Sequence, residues 1–338
     1  MKSLFLVNSP LEMISAIEAR AHFSITKTKL LLYISDTDKK VIRFLLKKSG
    51  KWDDIKWISR KSYYGLSWIR LIKKLKKENY NYFLSPIGSL TSHFLFNLKF
   101  KKHYFLDDGT LTLTLADYYK KNKDISKKMS LFEGKDKYGI KYNLIEWLHK
   151  IFNHKFRGVH VAPNFFTFFD IKDWEGQTVI LNNFNWFNSL SNNKEASKKI
   201  DEIVYIIGTA LVTDKILSLE YYISILKKMK NKYSDKKIIY IFHRRETKEQ
   251  LKKIKKETGI LIQENEYLIE IDFFMNNIIP THIVGTVSTA LFTLKKIYGH
   301  NLKIDTFSIE TNQIANNHQI GFKAVLESQN KYVDNIYL

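Results

Sequence analysis

Four clusters of residues in this chain could carry chemistry. The first is Asp107-Asp108-Gly109-Thr110, which closes the apolar run His103–Leu106 with two adjacent carboxylates. Neighbouring side chains on an extended chain point to opposite faces, so one carboxylate can face a cleft as a general base while the other anchors the turn. An Asp-Gly turn with a solvated partner is the plainer reading of the same residues. The second is His243-Arg244-Arg245-Glu246, which follows Ile238–Phe242 and precedes a helical pattern. Three potentially cationic side chains at the end of a strand, next to a helix N-terminus that itself favours anions, make a phosphate site. In the alternative, one arginine pairs with Glu246 or another acid and His243 only caps. The third cluster runs from Thr281 to Leu291, where Gly285 turns the chain and Ser288 and Thr289 open a helix. Backbone N–H groups and hydroxyls there suit one phosphate, or serve as an ordinary N-cap. The fourth is Gly208-Thr209 with Asp214 beyond it, a second ligand-facing loop or again a helix cap.

The elements that must position these clusters are legible as alternating short apolar runs and amphipathic stretches. In the first third, Ser3–Val7, Lys29–Ile34, Ile55–Ser59, Tyr82–Leu84 and His103–Leu106 read as strands. Pro10–Phe23, Asp38–Lys48, Leu66–Lys77 and Ser89–Phe96 read as the helices between them. Asn8-Ser9-Pro10 suits a strand-to-helix turn, with Ser9 as N-cap and Pro10 at the first helical position. After Ile203 the alternation returns. Strands are expected at Ile203–Ile207, Lys237–Phe242, Gly259–Ile262, His282–Val284 and Leu302–Phe307, and helices at Thr213–Lys230, Thr247–Glu257, Glu266–Asn276 and Ser288–Tyr298. Each half is therefore a βαβ domain with a parallel sheet, and the boundary is placed between residues 155 and 156. In open α/β sheets ligands bind beyond the carboxyl ends of the strands, which is where all four clusters fall. Between the halves, Asn143–Phe152 reads as an amphipathic helix, and the aromatic runs at 164–169 and 184–188 read as a cleft wall or as a core cluster.

Composition narrows the classes. At 338 residues, two domains of roughly 150 are the natural expectation. With 44% hydrophobic and 14% aromatic residues, the chain is folded rather than disordered. The formal charge of +21 raises nucleic acid or an anionic membrane as partner. Only Arg20, Arg43, Arg60, Arg70, Arg157, Arg244 and Arg245 are arginines, however, and base readers favour the bidentate guanidinium. Most lysines are read as a solvated surface and nucleic acid is not expected. The absence of cysteine removes disulfides, thiolate metal sites and cysteine nucleophiles. No signal segment or membrane span is visible, so a cytoplasmic protein is expected. Gly-Lys-Ser/Thr and Gly-x-Gly-x-x-Gly are both absent, which argues against ATP, GTP and NAD(P). Asp36-Thr37-Asp38 has the Asp-x-Asp form of metal-dependent transferases but sits where a helix cap belongs. The basic amphipathic stretch Leu66–Lys77 suits a core helix, or docking at an anionic membrane.

The set of motifs resembles the bacterial sialyltransferases of the lipooligosaccharide and capsule type, with their polysialyltransferase relatives. Asp107-Asp108-Gly109 matches their acidic pair before glycine and Ser288-Thr289 their late hydroxyl pair. His243 matches their His-Pro motif with Arg244 in place of proline. Gly208-Thr209 with Asp214, Tyr267-Leu268-Ile269-Glu270 and the opening Asn8-Ser9-Pro10-Leu11 follow in the matching order. The resemblance implies two Rossmann-like domains facing a central cleft, the GT-B arrangement, with the acceptor side in 1–155 and the CMP-sugar side in 156–338. It implies inverting transfer of sialic acid from CMP-sialic acid to a galactose or sialic acid hydroxyl of a surface glycan, with no obligatory metal. Asp108 would be the base, with Asp214 as its rival. His243 would serve the leaving phosphate with Ser288, Thr289 and Gly285, Glu270 would bind ribose, and Arg244 and Arg245 would hold phosphate or the sialyl carboxylate. Asn8, Ser9, Asp107, Gly109, Gly208 and Thr209 would line the substrates. The enzyme would work in the cytoplasm, at the inner face of the inner membrane, where peripheral association is expected. Alternative readings are transfer of another CMP-activated sugar such as Kdo, or a non-enzymatic basic protein that binds nucleic acid or membrane.

Overall fold

The computed structural model describes residues 2–59, 66–107, 109–121, 144, 147–155, 164–172, 176–192, 198–200, 203–265, 267–315, 319–330 and 333–337. The chain divides into two compact units, Met1–Asn182 and Asn183–Leu338. Both are parallel-sheet α/β units, the pair of Rossmann-like domains expected.

The first unit is built on seven strands: β1 (Lys2–Val7), β2 (Thr28–Leu32), β3 (Asp54–Trp57), β4 (Asn79–Ser85), β5 (Lys99–Leu106), β6 (Asn164–Thr167) and β7 (Val179–Leu181). Their order across the sheet is β3-β2-β1-β4-β5-β6-β7, and every pairing is parallel. The order reverses between β1 and β4, the kind of switch point at which open α/β sheets receive ligands. From Leu4 to Val7 β1 is apolar because both its faces are covered. Leu4 and Leu6 pack with Trp68, Ile72 and Phe83, while Phe5 on the other face meets the edge of Trp52. The unit runs beyond residue 155 to Asn182 because the aromatic run at 164–169 supplies β6. Phe165, Phe166, Phe168 and Phe169 are buried, and Phe166 joins a ring cluster with His22 and Phe23. The run is therefore core.

The second unit repeats the plan with β8 (Lys198–Ile200), β9 (Ile203–Ile207), β10 (Lys237–Ile241), β11 (Leu261–Gln263), β12 (Ile278–Pro280), β13 (His282–Gly285), β14 (Lys303–Phe307) and β15 (Asn335–Tyr337). Six of these form a parallel sheet in the order β11-β10-β9-β13-β14-β15, and β12 pairs with β8 apart from it. β9 alternates between two cores. Val204 and Ile206 pack with Tyr240 and Val284, whereas Tyr205 and Ile207 pack with Ile241 and Ile283. At the amino end of this sheet, the buried Asp305 carboxylate joins His282 Nε2 at 2.7 Å, Tyr233 Oη at 2.6 Å and Asn335 Nδ2 at 2.7 Å. Desolvation raises its pKa, but the bonds from His282, Tyr233 and Asn335 outweigh burial and leave it well below the usual carboxylate range.

The structure corrects two expectations and decides a third. The helix anticipated from Thr213 begins only at Leu219, because Ser218 caps it by accepting from Tyr221 N at 3.2 Å. Asp38 makes no side-chain cap for Lys39–Lys48; its carboxylate accepts from Ser35 Oγ at 2.6 Å. Leu66–Leu75 buries Trp68, Ile69, Leu71, Ile72 and Leu75, so its apolar face belongs to the core and does not dock a membrane. Among the described residues, no helix is long and apolar enough to cross a membrane.

Candidate functional site

The reversal of strand order in the second sheet falls between β9 and β13. The loops leaving the carboxyl ends of β9, β10 and β13 are the ones that carry Gly208-Thr209, His243–Glu246 and Gly285–Thr289. Three clusters separate in sequence thus leave three successive strands on one edge of the sheet, where an α/β fold receives its ligands.

The His243 loop is held from below by a buried carboxylate. Glu246 accepts from the His243 backbone N–H and from Tyr240 Oη, both at 2.6 Å, and Tyr240 Oη lies 3.1 Å from Tyr222 Oη. Burial lifts the Glu246 carboxyl to about 7, against the two donors that favour its ionised form. Burial likewise raises Tyr240 well above its ordinary range. Gly208 is the counterpart of this arrangement. A Cβ there would stand 2.5 Å from Glu246 Oε2, 2.8 Å from His243 N and 2.9 Å from Tyr240 Oη. Only glycine lets the end of β9 pass so close.

His243 Nδ1 accepts the Arg245 backbone N–H at 3.2 Å. The ring proton therefore sits on Nε2, which can donate to an anion. Burial, Arg245 and Arg244 push the imidazole down to about 4 against the pull of Asp214, so the ring is neutral near pH 7. Arg245 Nη1 bonds Asp214 Oδ1 at 2.7 Å, and Thr213 Oγ1 donates to Arg245 O at 2.9 Å. Asp214 is thus bound to a guanidinium and tethers the loop after β9 to the loop after β10. Arg244 is exposed.

Ser288 caps the helix Thr289–Tyr298, accepting from Ala290 N at 3.3 Å. Its own O–H can still donate, at the positive end of a ten-residue helix. Gly285 ends β13 with the Leu291 methyls 3.4 Å from where its Cβ would be. Glu270 contacts, through Thr293, the helix that Ser288 caps. It is buried on Ile269–Met275, accepts from Thr293 Oγ1, and is raised by burial. Asp272 on the same turn accepts from Tyr267 N at 3.0 Å and is lifted by burial to about 6.

The first-unit candidates make local contacts of their own. Ser9 caps Pro10–His22 by accepting from Glu12 N at 3.3 Å, and the Asn8 backbone N–H donates to the Glu12 carboxylate. Asp107 is fully buried and accepts from Thr167 Oγ1 at 2.6 Å and Phe168 N at 2.8 Å, which ties the end of β5 to the end of β6. Gly109 turns with φ of 61°, in the left-handed region that favours glycine. Asp108 lies outside the described residues.

Sequence reasoning passed over Tyr222 and Tyr240, and it treated Glu246 only as a partner for arginine. An acid three residues after a strand-end histidine was the available signal, but its meaning depends on the missing Cβ of Gly208. Thr286 lies within the third cluster without a role assigned from sequence; it is buried, and its carbonyl accepts from Gln329 Nε2 at 2.6 Å.

No family model matches this sequence, and no curated protein matches it. Solved structures share its fold over nearly the whole chain. One is a co-structure of S. aureus MnaA with UDP, at a TM-score of 0.51 and 11% identity, covering 98% of this chain and 89% of that one. Another is a putative UDP-N-acetylglucosamine 2-epimerase from Listeria monocytogenes, at a TM-score of 0.51 and 9% identity, with the same coverage. At these identities the likeness is one of fold. It also corrects the reading drawn from the short motifs. These two structures are a UDP complex and a putative UDP-N-acetylglucosamine 2-epimerase rather than CMP-sialic acid sialyltransferases, so membership of the lipooligosaccharide and capsule transferases is withdrawn. Inverting sialyl transfer, the CMP-Kdo variant and the non-enzymatic basic protein are withdrawn with it. The motifs misled because strand-end glycines, acids and hydroxyl pairs recur wherever a doubly wound sheet meets a ligand.

Proposed function

We propose that this chain is a nucleotide-sugar enzyme that binds the diphosphate of a UDP-sugar at the carboxyl edge of its second sheet and isomerises the sugar in the manner of a UDP-N-acetylglucosamine 2-epimerase. The observation that carries the reading is the convergence of the Gly208, His243–Glu246 and Gly285–Thr289 loops at the strand-order reversal. The fold shared with UDP-sugar epimerases supports the choice of nucleotide. In this reading the neutral His243 donates from Nε2 to a phosphate oxygen, Ser288 and Thr289 with the helix behind them take another, and Arg244 and Arg245 neutralise the remaining charge. Gly208 and Glu246 hold the loop in register. In this reading the cationic side chains and the helix terminus meet the diphosphate without a metal. The enzyme acts in the cytoplasm, with peripheral membrane association.

Calorimetry with UDP and CMP tests the site: UDP binding that weakens at least tenfold in His243→Ala is expected, and absence of UDP binding by the native chain refutes the proposal. Inversion at C2 must break the C2–H bond. Incubation with UDP-N-acetylglucosamine in D2O and EDTA should therefore place deuterium at C2, as read by proton NMR. A C2 proton that stays unexchanged while UDP binds would remove the epimerase assignment and leave only the binding site.

A further inference from the structure

A helical segment of the first unit presents its apolar stripe to solvent. Residues 147–151 are helical, and Leu144, Trp147, Ile151 and Phe152 fall at the i, i+3, i+7 and i+8 positions that ordinarily face a core. Here they are 61%, 58%, 57% and 42% exposed. Twelve large apolar side chains are exposed among the described residues, and these four fall within one nine-residue stretch. The segment is nevertheless anchored. His149 is buried on its inner side, with its ring 5.3 Å from that of His93, and Asn97 bonds both the N–H and the C=O of Lys155.

Cations rim the stripe. Lys150 and Lys155 are exposed on the segment itself. Lys76 Nζ reaches Asn153 O at 3.3 Å, and Lys73 with Lys76 acts on the buried His154. Both lysines stand on the solvent side of Leu66–Leu75 and its exit, whose apolar face is spent on the core. The acid that follows them, Glu78, is engaged by Lys2 and Lys29. An exposed row of tryptophan and aliphatic side chains bordered by lysines suits the boundary of a bilayer, where rings and alkyl chains enter, lysine stems extend along them and ammonium groups meet anionic headgroups.

We propose that Leu144, Trp147, Ile151 and Phe152, with their lysine rim, dock the first unit on an anionic lipid surface. The proposal stands apart from the nucleotide site, which belongs to the other unit. Co-sedimentation of the full chain with vesicles of phosphatidylcholine alone, and of equal parts phosphatidylcholine and phosphatidylglycerol, tests it. Partitioning at least tenfold stronger into the anionic vesicles is expected, falling as salt is raised. The double substitution Trp147→Ser with Ile151→Ser should reduce that binding at least tenfold while leaving the thermal melt unchanged, since both side chains are exposed. Lys73→Gln with Lys155→Gln should remove the preference for anionic lipid. The proposal is overturned if the native chain ignores anionic vesicles, or if the Trp147 and Ile151 variant binds them as well as the native chain does. It is equally overturned if the stripe proves instead to join two copies, shown by a concentration-dependent dimer that the variant abolishes without any vesicle binding.

Discussion

Replacing Glu246 with glutamine tests the buried network beneath the His243 loop. Burial, the largest influence on this carboxyl, lifts it from an ordinary 4.5 to about 7. The folded chain therefore holds the Glu246 proton more tightly than the unfolded chain does. The resulting stability is complete below pH 4.5 and disappears as the pH rises through 7. A displacement of that size corresponds to roughly 3 kcal/mol across the window. Glutamine keeps the shape and cannot ionise. Its carbonyl oxygen can take the His243 amide proton and its NH2 can donate to Tyr240 Oη, whose own proton then turns to Tyr222. Urea unfolding of the native chain and of E246Q at about pH 5 and about pH 8 reads the difference. Between those conditions the native chain should lose about 2–3 kcal/mol relative to E246Q. His243, held down to about 4, and Asp272, lifted to about 6, change protonation in both proteins and cancel in the difference. Parallel pH profiles for the two proteins would refute the reasoning.

Three further outcomes follow from the same geometry. Gly208→Ala places a methyl against Glu246, His243 and Tyr240 and should cost about 1–3 kcal/mol in urea unfolding, with weaker UDP binding; native stability would show that the loop yields. Asp305→Ala strips the buried His282 and Tyr233 and the half-buried Asn335 of their common acceptor and should lower stability by about 3–5 kcal/mol, a loss that unchanged melting would contradict. Asp214→Asn breaks a half-exposed ion pair with Arg245 and should change stability by no more than about 1 kcal/mol; a larger drop would mean that the tether between the two loops holds the site together.

The strand-and-helix alternation was legible because parallel strands covered on both faces read as short apolar runs. Ile203–Ile207 is found where the pattern put it, and Ser9 caps its helix as Ser9-Pro10 implies. What escaped was whatever depends on partners distant in sequence. The aromatic run at 164–169 carries no sign that it pairs beside β5, a partner some sixty residues earlier, since an apolar run has the same composition in a core or in a cleft. Thr213 and Ser218 are both credible caps, and only the turn that ties Thr213 to Arg245 selects Ser218. Strand-end placement located the three loops of the candidate site. It could not show that Glu246 serves the backbone of His243, because that contact exists only where Gly208 lets two strands close.

The strand order of the second sheet also bears on when the site comes into being. β9 and β10 are neighbours in sequence and in space, so Gly208 and the His243 loop can be brought together early during synthesis from the amino end. β13 inserts on the other side of β9 only after β10, β11 and β12 have been made, and it brings Ser288 with it. A nascent chain at that stage carries half an anion site beside an unpaired edge of β9, an apolar strand open to the wrong partner. A nucleotide that needs all three loops would bind only after β13 has docked, and would then act as a clasp on the order in which the sheet was assembled.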